Sequence, residues 1–210
     1  MSLLTPMLRS SPLTDWFSDA QRVQGMLDFE AALAQAQAAC GMVPPEAVGP
    51  IVAACRHEAI DFAALGEAAV GAGNLAIPLV KQLTAQVKAQ DPEAARYVHW
   101  GATSQDAIDT GLVLQLRGAL DAAETLLEQL LAALALQADR YRDAVMPGRT
   151  WMQHALPVTF GLKLAGTLDA LLRWQQRLRE MRPRLLVLQF GGAAGTLDAL
   201  KERSEERRVG

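Results

Sequence analysis

Two hydroxyl residues and a carboxylate follow a glycine in the run VHWGATSQD at residues 98–106. The glycine favours a tight turn, and the proline-free stretch after it predicts that a long helix begins here. Unpaired N–H groups at a helix start, together with the hydroxyls of Thr103 and Ser104, can bind a carboxylate or a phosphate. Spacing alone favours a simpler role, in which either hydroxyl caps the helix and Asp106 interacts with the helix dipole.

A second polar run, GRTWMQHALP, occupies residues 148–157. An imidazole can exchange protons near neutral pH, so His154 is a candidate acid or base that Thr150 and Gln153 can orient. A lone histidine is more often packed or solvated. His57 lies in a charged run and is assigned no role.

The third run, QFGGAAGT at residues 189–196, is rich in glycine. Backbone N–H groups in such a turn can hold an anion, although close packing between helices explains the glycines equally well. The run is not a phosphate-binding P-loop, because no Gly-Lys-Ser/Thr follows it.

Apolar periodicity and breaker residues predict that helices position these runs. The opening helix is capped by Thr14 or Ser18, Pro183 ends the last long helix, and Thr196 can start another. The predicted helices are 14–40, 45–56, 61–72, 77–90, 104–143 and about 155–181.

The first two polar runs lie at opposite ends of the long helix predicted over 104–143, which spans about 60 Å at 1.5 Å per residue. They cannot meet within one chain, so a shared active site needs different subunits of a symmetric oligomer. The two long helices alone also do not close a bundle. Their apolar faces need helices from further along the chain or from partner chains.

Composition excludes several classes of protein. The 210 residues are 50% hydrophobic and carry a net charge of −3, which argues against a nucleic-acid-binding protein. Cys40, Cys55 and three histidines make neither a disulfide framework nor a good metal set. There is no long uncharged apolar run and no secretory signal, so we expect a cytoplasmic protein without a membrane partner.

The chain resembles the fumarase/aspartase superfamily and, within it, the bacterial 3-carboxy-cis,cis-muconate cycloisomerases of protocatechuate breakdown. The likeness is nearly continuous from Ser11 to Leu200. It is carried by SPLTDWFSDAQRVQGMLDFEAALAQAQ, GNLAIPLV, YVHWGATSQDAIDTGLVLQLR, MPGRTWMQHALPVTFGLKLAG and LQFGGAAGTL. Three superfamily blocks at the correct separation are much stronger evidence than any one block.

The resemblance implies an all-α protomer with a small N-terminal helical domain, residues 1–103, and the first part of a central long-helix bundle, residues 104–202. It implies a homotetramer whose active sites combine three chains, and no metal or organic cofactor. The implied substrate is a small tricarboxylate. The implied reaction is a lactonising cycloisomerisation that yields 4-carboxymuconolactone.

For the first block, the resemblance implies that Thr103 and Ser104 bind a substrate carboxylate while Asp106 supports their turn. His99 matches the histidine that precedes the glycine in adenylosuccinate lyase, and we expect it to contact substrate.

For the second block, the resemblance implies that Thr150 and Gln153 bind substrate and that His154 assists proton transfer or charge stabilisation. Asn74 lies where adenylosuccinate lyase carries a histidine-aspartate pair, so the Gly73-Asn74 sequence favours the cycloisomerase. Another lyase of the superfamily, or a non-catalytic helical assembly module, remains the alternative.

One superfamily element is missing from the sequence. The catalytic serine of the family lies on a downstream loop of the pattern serine-serine-x-methionine-proline-x-lysine-x-asparagine, which has no counterpart here. Residues 203–210 resemble a translated sequencing adapter more than a genuine charged helix end, so we expect a non-native tail. We therefore expect this polypeptide, as the first part of an enzyme, to be inactive by itself.

Overall fold

The computed structural model of the chain describes residues 11–200. Helices dominate these residues, and the only sheet among them is an antiparallel pair of strands. The predicted tail at 203–210 lies outside the described residues. The elements are α1 Asp19–Ala39, α2 Pro45–Ala54, α3 Phe62–Ala72, α4 Ala76–Gln90, α5 Ser104–Arg140, β1 Val145–Thr150, β2 Gln153–Thr159 and α6 Phe160–Leu185, with short 3-10 segments at Thr14–Phe17, His57–Ala59 and Ala94–Tyr97.

The chain divides into two compact units. The first unit consists of the residues up to Arg117 together with the segment that begins at Val187. The second unit is Gly118–Leu186. Helix α5 therefore begins in the first unit and ends in the second. The domain boundary predicted at residue 103 stays a prediction.

The four short helices of the first unit lie close to where periodicity predicts them. Ser18, not Thr14, caps α1, because its hydroxyl accepts from the N–H of Gln21 at 3.3 Å. Asp61 caps α3 by accepting from the N–H of Ala64 at 3.0 Å. Together the helices bury a core whose largest side chains are at most 2% exposed: Leu27, Ile51, Leu65, Leu79 and Leu83.

The second long helix begins later than predicted. We expected it from about Ala155, but residues 145–159 form a β-hairpin and α6 starts at Phe160. Pro157 explains the difference, since a proline disfavours helical backbone in the residue before it. Thr159 then caps α6 by accepting from the N–H of Leu162 at 3.1 Å.

Two further predictions at helix ends are wrong. Helix α6 continues past Pro183 to Leu185, so this proline lies inside the last turn. No α-helix begins at Thr196 within the described residues, where residues 198–200 form only a 3-10 turn.

In the second unit, the later part of α5 packs along α6. Arg179 Nε lies 3.1 Å from Glu124 Oε1, and Arg182 also pairs with Glu124 and with Asp121. Several apolar side chains of the unit remain exposed, namely Leu126, Leu130, Leu136, Leu162 and Leu172. None of the described helices is both long and apolar enough to cross a membrane.

Candidate active site

The turn before α5 is built around the carboxylate of Asp106, whose residue is fully buried. Its Oδ2 accepts from the N–H of Thr103 at 2.9 Å and from the N–H of Gly192 at 3.0 Å. Its Oδ1 accepts from the N–H of Gly191 at 2.9 Å. Asp106 therefore closes the start of α5 from the third helical position, as the acidic residue of a capping box does.

The hydroxyls of Thr103 and Ser104 are left for another use. Neither makes a hydrogen bond to any part of the chain that the structure describes, and both residues are partly exposed. The structural alternative, in which one of these hydroxyls caps the helix, therefore does not describe the geometry. A helix start that carries two partly exposed hydroxyls suits a negatively charged ligand.

The glycine run binds an anion that belongs to the chain itself. Two of its N–H groups hold Asp106, and Thr110 ties the same segment to α5. The hydroxyl of Thr110 donates to the carbonyl of Gln189 at 2.9 Å and accepts from its N–H at 3.1 Å. Sequence analysis missed Thr110, although its position four residues after Asp106 places both on one helix face.

His99 is held by a residue that the sequence analysis missed. Its Nδ1 lies 2.6 Å from Oε1 of Glu30 on α1, and the two side chains are 17% and 2% exposed. Gln37, also on α1, donates to the carbonyl of Trp100 at 2.7 Å. Glu30 and Gln37 continue the buried spacing of Val23, which is a signal that sequence periodicity contains.

Asn74 lies at the start of α4, where its Oδ1 accepts from the N–H of Ile77 at 3.1 Å. It also lines a cavity of about 310 Å³ in the first unit. The cavity wall includes Arg22, which makes no ion pair with any described residue, and Gln115, whose amide donates to the carbonyl of Trp16 at 2.8 Å. The other lining residues are apolar, so Arg22 is the group of this wall that suits an anionic ligand.

The second polar block forms the end of the hairpin in the second unit. Thr150 pairs with Gln153, and Arg149 pairs with His154. Because successive strand side chains leave opposite faces, Gln153 and His154 point to different sides of the hairpin. All the residues from Arg149 to His154 are exposed.

The hairpin turn itself is unusual. Trp151 and Met152 have φ values of 51° and 61°, in the left-handed region that two-residue hairpins normally fill with Asn-Gly. Their side chains are 93% and 94% exposed. Large apolar residues in this conformation, without contacts of their own, are typical of a functional segment rather than a stabilising one.

The sequence analysis expects no metal site. No group of three or more His, Cys, Asp or Glu residues within 11–200 is arranged to hold a metal ion. The titratable groups of the site act here through hydrogen bonds, chiefly the carboxylates of Asp106 and Glu30.

Comparison with known proteins settles the family. The sequence profile of a family described as lyase matches residues 8–209. The chain belongs to this lyase family. Membership of this family agrees with the helical fold of the chain and with the superfamily that its three polar blocks resemble.

Individual relatives point in the same direction. Over 195 residues the chain is 63% identical to a 3-carboxy-cis,cis-muconate cycloisomerase of Pseudomonas aeruginosa, covering 93% of this chain and 42% of that protein. The crystal structure of a 3-carboxy-cis,cis-muconate lactonizing enzyme from Pseudomonas putida superposes with a TM-score of 0.94 at 56% identity, covering 97% of this chain and 47% of that one.

A more distant relative is the adenylosuccinate lyase of Methanothermobacter thermautotrophicus, 40% identical over 185 residues, which are 88% of this chain and 40% of that protein. The chain thus spans less than half the length of each of these relatives.

Proposed function

We propose that the chain is the first part of a 3-carboxy-cis,cis-muconate cycloisomerase, which closes this tricarboxylic diene to 4-carboxymuconolactone in aromatic catabolism. The observation that carries the proposal is the 63% identity to a cycloisomerase over 93% of the chain. The free hydroxyls at the start of α5 support it, because the substrate is a small polyanion.

In the proposed reaction, one carboxylate oxygen of the substrate attacks an alkene carbon and a C–O bond closes the lactone. The electron pair of the alkene moves towards a neighbouring carboxylate and forms an enolate-like intermediate. An acid of the enzyme then delivers a proton to carbon and is reprotonated from solvent. The atoms and electrons of this reaction therefore balance without an oxidant and without a leaving group.

The helix start is the part of this chain that suits the developing charge. Asp106 fixes the backbone of this helix start through the N–H of Thr103, so the turn that carries the hydroxyls of Thr103 and Ser104 needs little reorganisation as charge builds up. One well-placed donor of this kind can contribute roughly 3–4 kcal/mol to the transition state. His99 and Asn74 complete the substrate-binding set in the proposal.

The hairpin of β1 and β2 supplies the second set of proposed active-site residues. We assign Thr150 and Gln153 to substrate binding and His154 to proton transfer or charge stabilisation. The exposure of all three is consistent with a site that is completed by other chains. The proposal accordingly includes a homotetramer in the cytoplasm, with each active site built from three chains and the acid supplied by the serine loop.

The proposal is tested with a completed enzyme, in which residues 1–200 of this chain are joined to the remaining part of the Pseudomonas aeruginosa relative. We expect it to consume 3-carboxy-cis,cis-muconate, measured as loss of diene absorbance, and to leave adenylosuccinate unchanged. Ser104→Ala should lower turnover, while Ser18→Ala, at the cap of α1, serves as the matched control. Conversion of adenylosuccinate instead would assign the chain to the other lyase.

The same assay on the 210-residue chain tests whether the first part can act by itself. We expect no turnover, because the sequence lacks the serine-loop pattern. Titration of this chain with a tricarboxylate distinguishes the remaining alternative, since a purely structural assembly module should show no saturable binding. Normal turnover by the 210-residue chain would contradict the expectation.

A further inference from the structure

We propose that Glu30 is a positioning residue for His99, and that it holds the ring with its Nδ1–H on the carboxylate so that Nε2 is the nitrogen presented to substrate. This inference rests on the proposed function for its catalytic consequence. Its structural half is independent of that function and can be measured on the chain itself.

The contact between the two side chains is short and well shielded. Nδ1 of His99 lies 2.6 Å from Oε1 of Glu30, a contact slightly shorter than the roughly 2.7–2.9 Å of a charge-assisted N–H···O hydrogen bond. Glu30 is nearly completely buried, and its other oxygen, Oε2, has no hydrogen-bond partner among the described residues. A buried carboxylate is costly without a partner, so the imidazole is the group that stabilises it.

A carboxylate can only accept a hydrogen bond, so the proton of the pair lies between Nδ1 and Oε1. In the neutral ring this fixes the tautomer and leaves Nε2 with its lone pair. In the charged ring the same contact leaves Nε2–H as a donor. In either state Nε2 makes no hydrogen bond to another described residue, and His99 is partly exposed.

The backbone of His99 supplies a second observation. Its φ is 57°, in the left-handed region where a residue with a Cβ is strained and where glycine or asparagine is usual. The fold nevertheless places a histidine here, two residues after the 3-10 segment that ends at Tyr97. Such strain is characteristic of residues that a functional site requires.

Gln37 shows what a merely structural contact with this turn looks like. It is completely buried seven residues after Glu30 on the same helix, and its amide donates to the carbonyl of Trp100 at 2.7 Å. Gln37 therefore anchors the turn through its backbone and makes no hydrogen bond to the imidazole of His99. Gln37→Leu is the matched control for Glu30→Leu, because both remove a buried polar contact from α1 to the same turn.

The first measurement is the tautomer of His99 by long-range ¹H–¹⁵N NMR on the 210-residue chain. The other two histidines are removed in turn, by His57→Gln and His154→Gln, to assign the spectrum. We expect Nδ1 to carry the proton in the neutral ring, Glu30→Leu, which removes the acceptor, to change this tautomer population, and Gln37→Leu to preserve it. A neutral ring protonated mainly on Nε2, or an unchanged tautomer in Glu30→Leu, would overturn the proposal.

The second measurement is kcat for the completed enzyme. Glu30→Leu should lower kcat at least about tenfold, because it releases a substrate-binding group whose misplacement can cost about 10²-fold. Glu30→Asp, which keeps the carboxylate, should recover part of the loss, and Gln37→Leu should change kcat much less. An unchanged kcat in Glu30→Leu would also overturn the proposal. If the unmodified completed enzyme does not convert the diene, the proposed function fails and the tautomer alone decides the role of Glu30.

Discussion

Asp106 and Gly191 lie 85 positions apart in the sequence, yet the N–H of Gly191 donates to Oδ1 of Asp106 at 2.9 Å. The same carboxylate closes the start of α5 through the N–H of Thr103. One side chain therefore fixes both the glycine segment and the helix start. This arrangement leaves the hydroxyls of Thr103 and Ser104 for a ligand, because capping the helix does not require them.

Asp106→Asn should destabilise the chain by about 1–3 kcal/mol. The substitution replaces a carboxylate oxygen with an NH₂ group that faces buried N–H donors, and each buried donor left unsatisfied costs about 1–3 kcal/mol. Urea unfolding followed by circular dichroism measures the loss.

Asp109→Asn is the control for this prediction. Asp109 lies on the same helix but accepts only an exposed hydrogen bond, from the side chain of Gln105 at 2.6 Å. Its loss should change the free energy of unfolding by less than about 0.5 kcal/mol. Equal effects of the two substitutions would mean that the three N–H contacts of Asp106 contribute little.

Gly25→Ala should destabilise the first unit, because Gly25 and Gly111 allow α1 and α5 to approach closely. A Cβ at position 25 would lie 2.6 Å from the carbonyl oxygen of Gly111, and this oxygen belongs to backbone that cannot rotate away. Overpacking of this kind costs about 1–3 kcal/mol or more, which outweighs the gain in helix propensity of about 1 kcal/mol.

Gly66→Ala on α3 provides a matched comparison, since a Cβ there meets nothing within 4 Å. It should stabilise the chain by about 0.5–1 kcal/mol, as removal of an exposed helical glycine does. Urea unfolding of both variants shows whether each substitution raises or lowers the free energy of unfolding. A stabilising Gly25→Ala would show that the helices can separate without cost.

Most of the helical architecture can be predicted from the sequence, because helix caps and apolar spacing are local signals. The apolar spacing of residues such as Leu79 and Leu83 predicts α4, and the Ser18 and Asp61 caps act where their positions indicate. The β-hairpin could not be found in this way. Its strands pair Pro147 with Pro157, and residues that cannot donate a ladder hydrogen bond give no strand pattern.

The site was harder to predict than the fold, because its contacts join distant parts of the chain. Asp106 was recognised at the helix start, but its bonds to the glycine segment depend on tertiary structure. Glu30 lies between Phe29 and Ala31, and a glutamate is rarely buried, so only its seven-residue spacing from Val23 indicates its burial. The roles assigned to Thr150, Gln153 and His154 stay predictions.

Cys55 should be unreactive in the folded chain, whereas the exposed Cys40 should be modified readily. Burial raises the pKa of the Cys55 thiol from 9.0 to about 12, and the negative charges of Glu30 and Asp28 act in the same direction. Only the thiolate is a good nucleophile. Ellman's reagent should therefore modify one thiol per folded chain and two in urea, and Cys40→Ser should abolish the fast reaction.

The same shift makes stability depend on alkaline pH. Between pH 9.0 and about 12 the unfolded thiol loses its proton while the folded thiol keeps it. The contribution of Cys55 is therefore fully present below pH 9.0 and is lost as the pH rises, by up to about 1.4 kcal/mol per pH unit. Cys55→Ala should show a shallower decline in urea unfolding across this range, and an identical slope would contradict the shift.

His154→Ala should lower kcat of the completed enzyme severely while leaving the fold intact. The imidazole is exposed on β2 opposite Arg149 and makes no hydrogen bond to another described residue, so its removal should change stability by less than about 0.5 kcal/mol. A positioned acid or base contributes roughly 10²–10⁴-fold, and we expect a loss in that range. Diene absorbance gives kcat, and thermal unfolding gives stability.

His57→Ala separates a specific role of His154 from a general effect of losing an imidazole. His57 contacts Gln24 at 3.1 Å in the first unit and has no place in the proposed chemistry, so its removal should leave kcat nearly unchanged. The decisive pattern is a fall in kcat for His154→Ala alone, with both variants unfolding at temperatures close to that of the parent. An unchanged kcat in His154→Ala would remove this residue from the mechanism and would leave the helix start at Thr103 and Ser104 as the chain's contribution to catalysis.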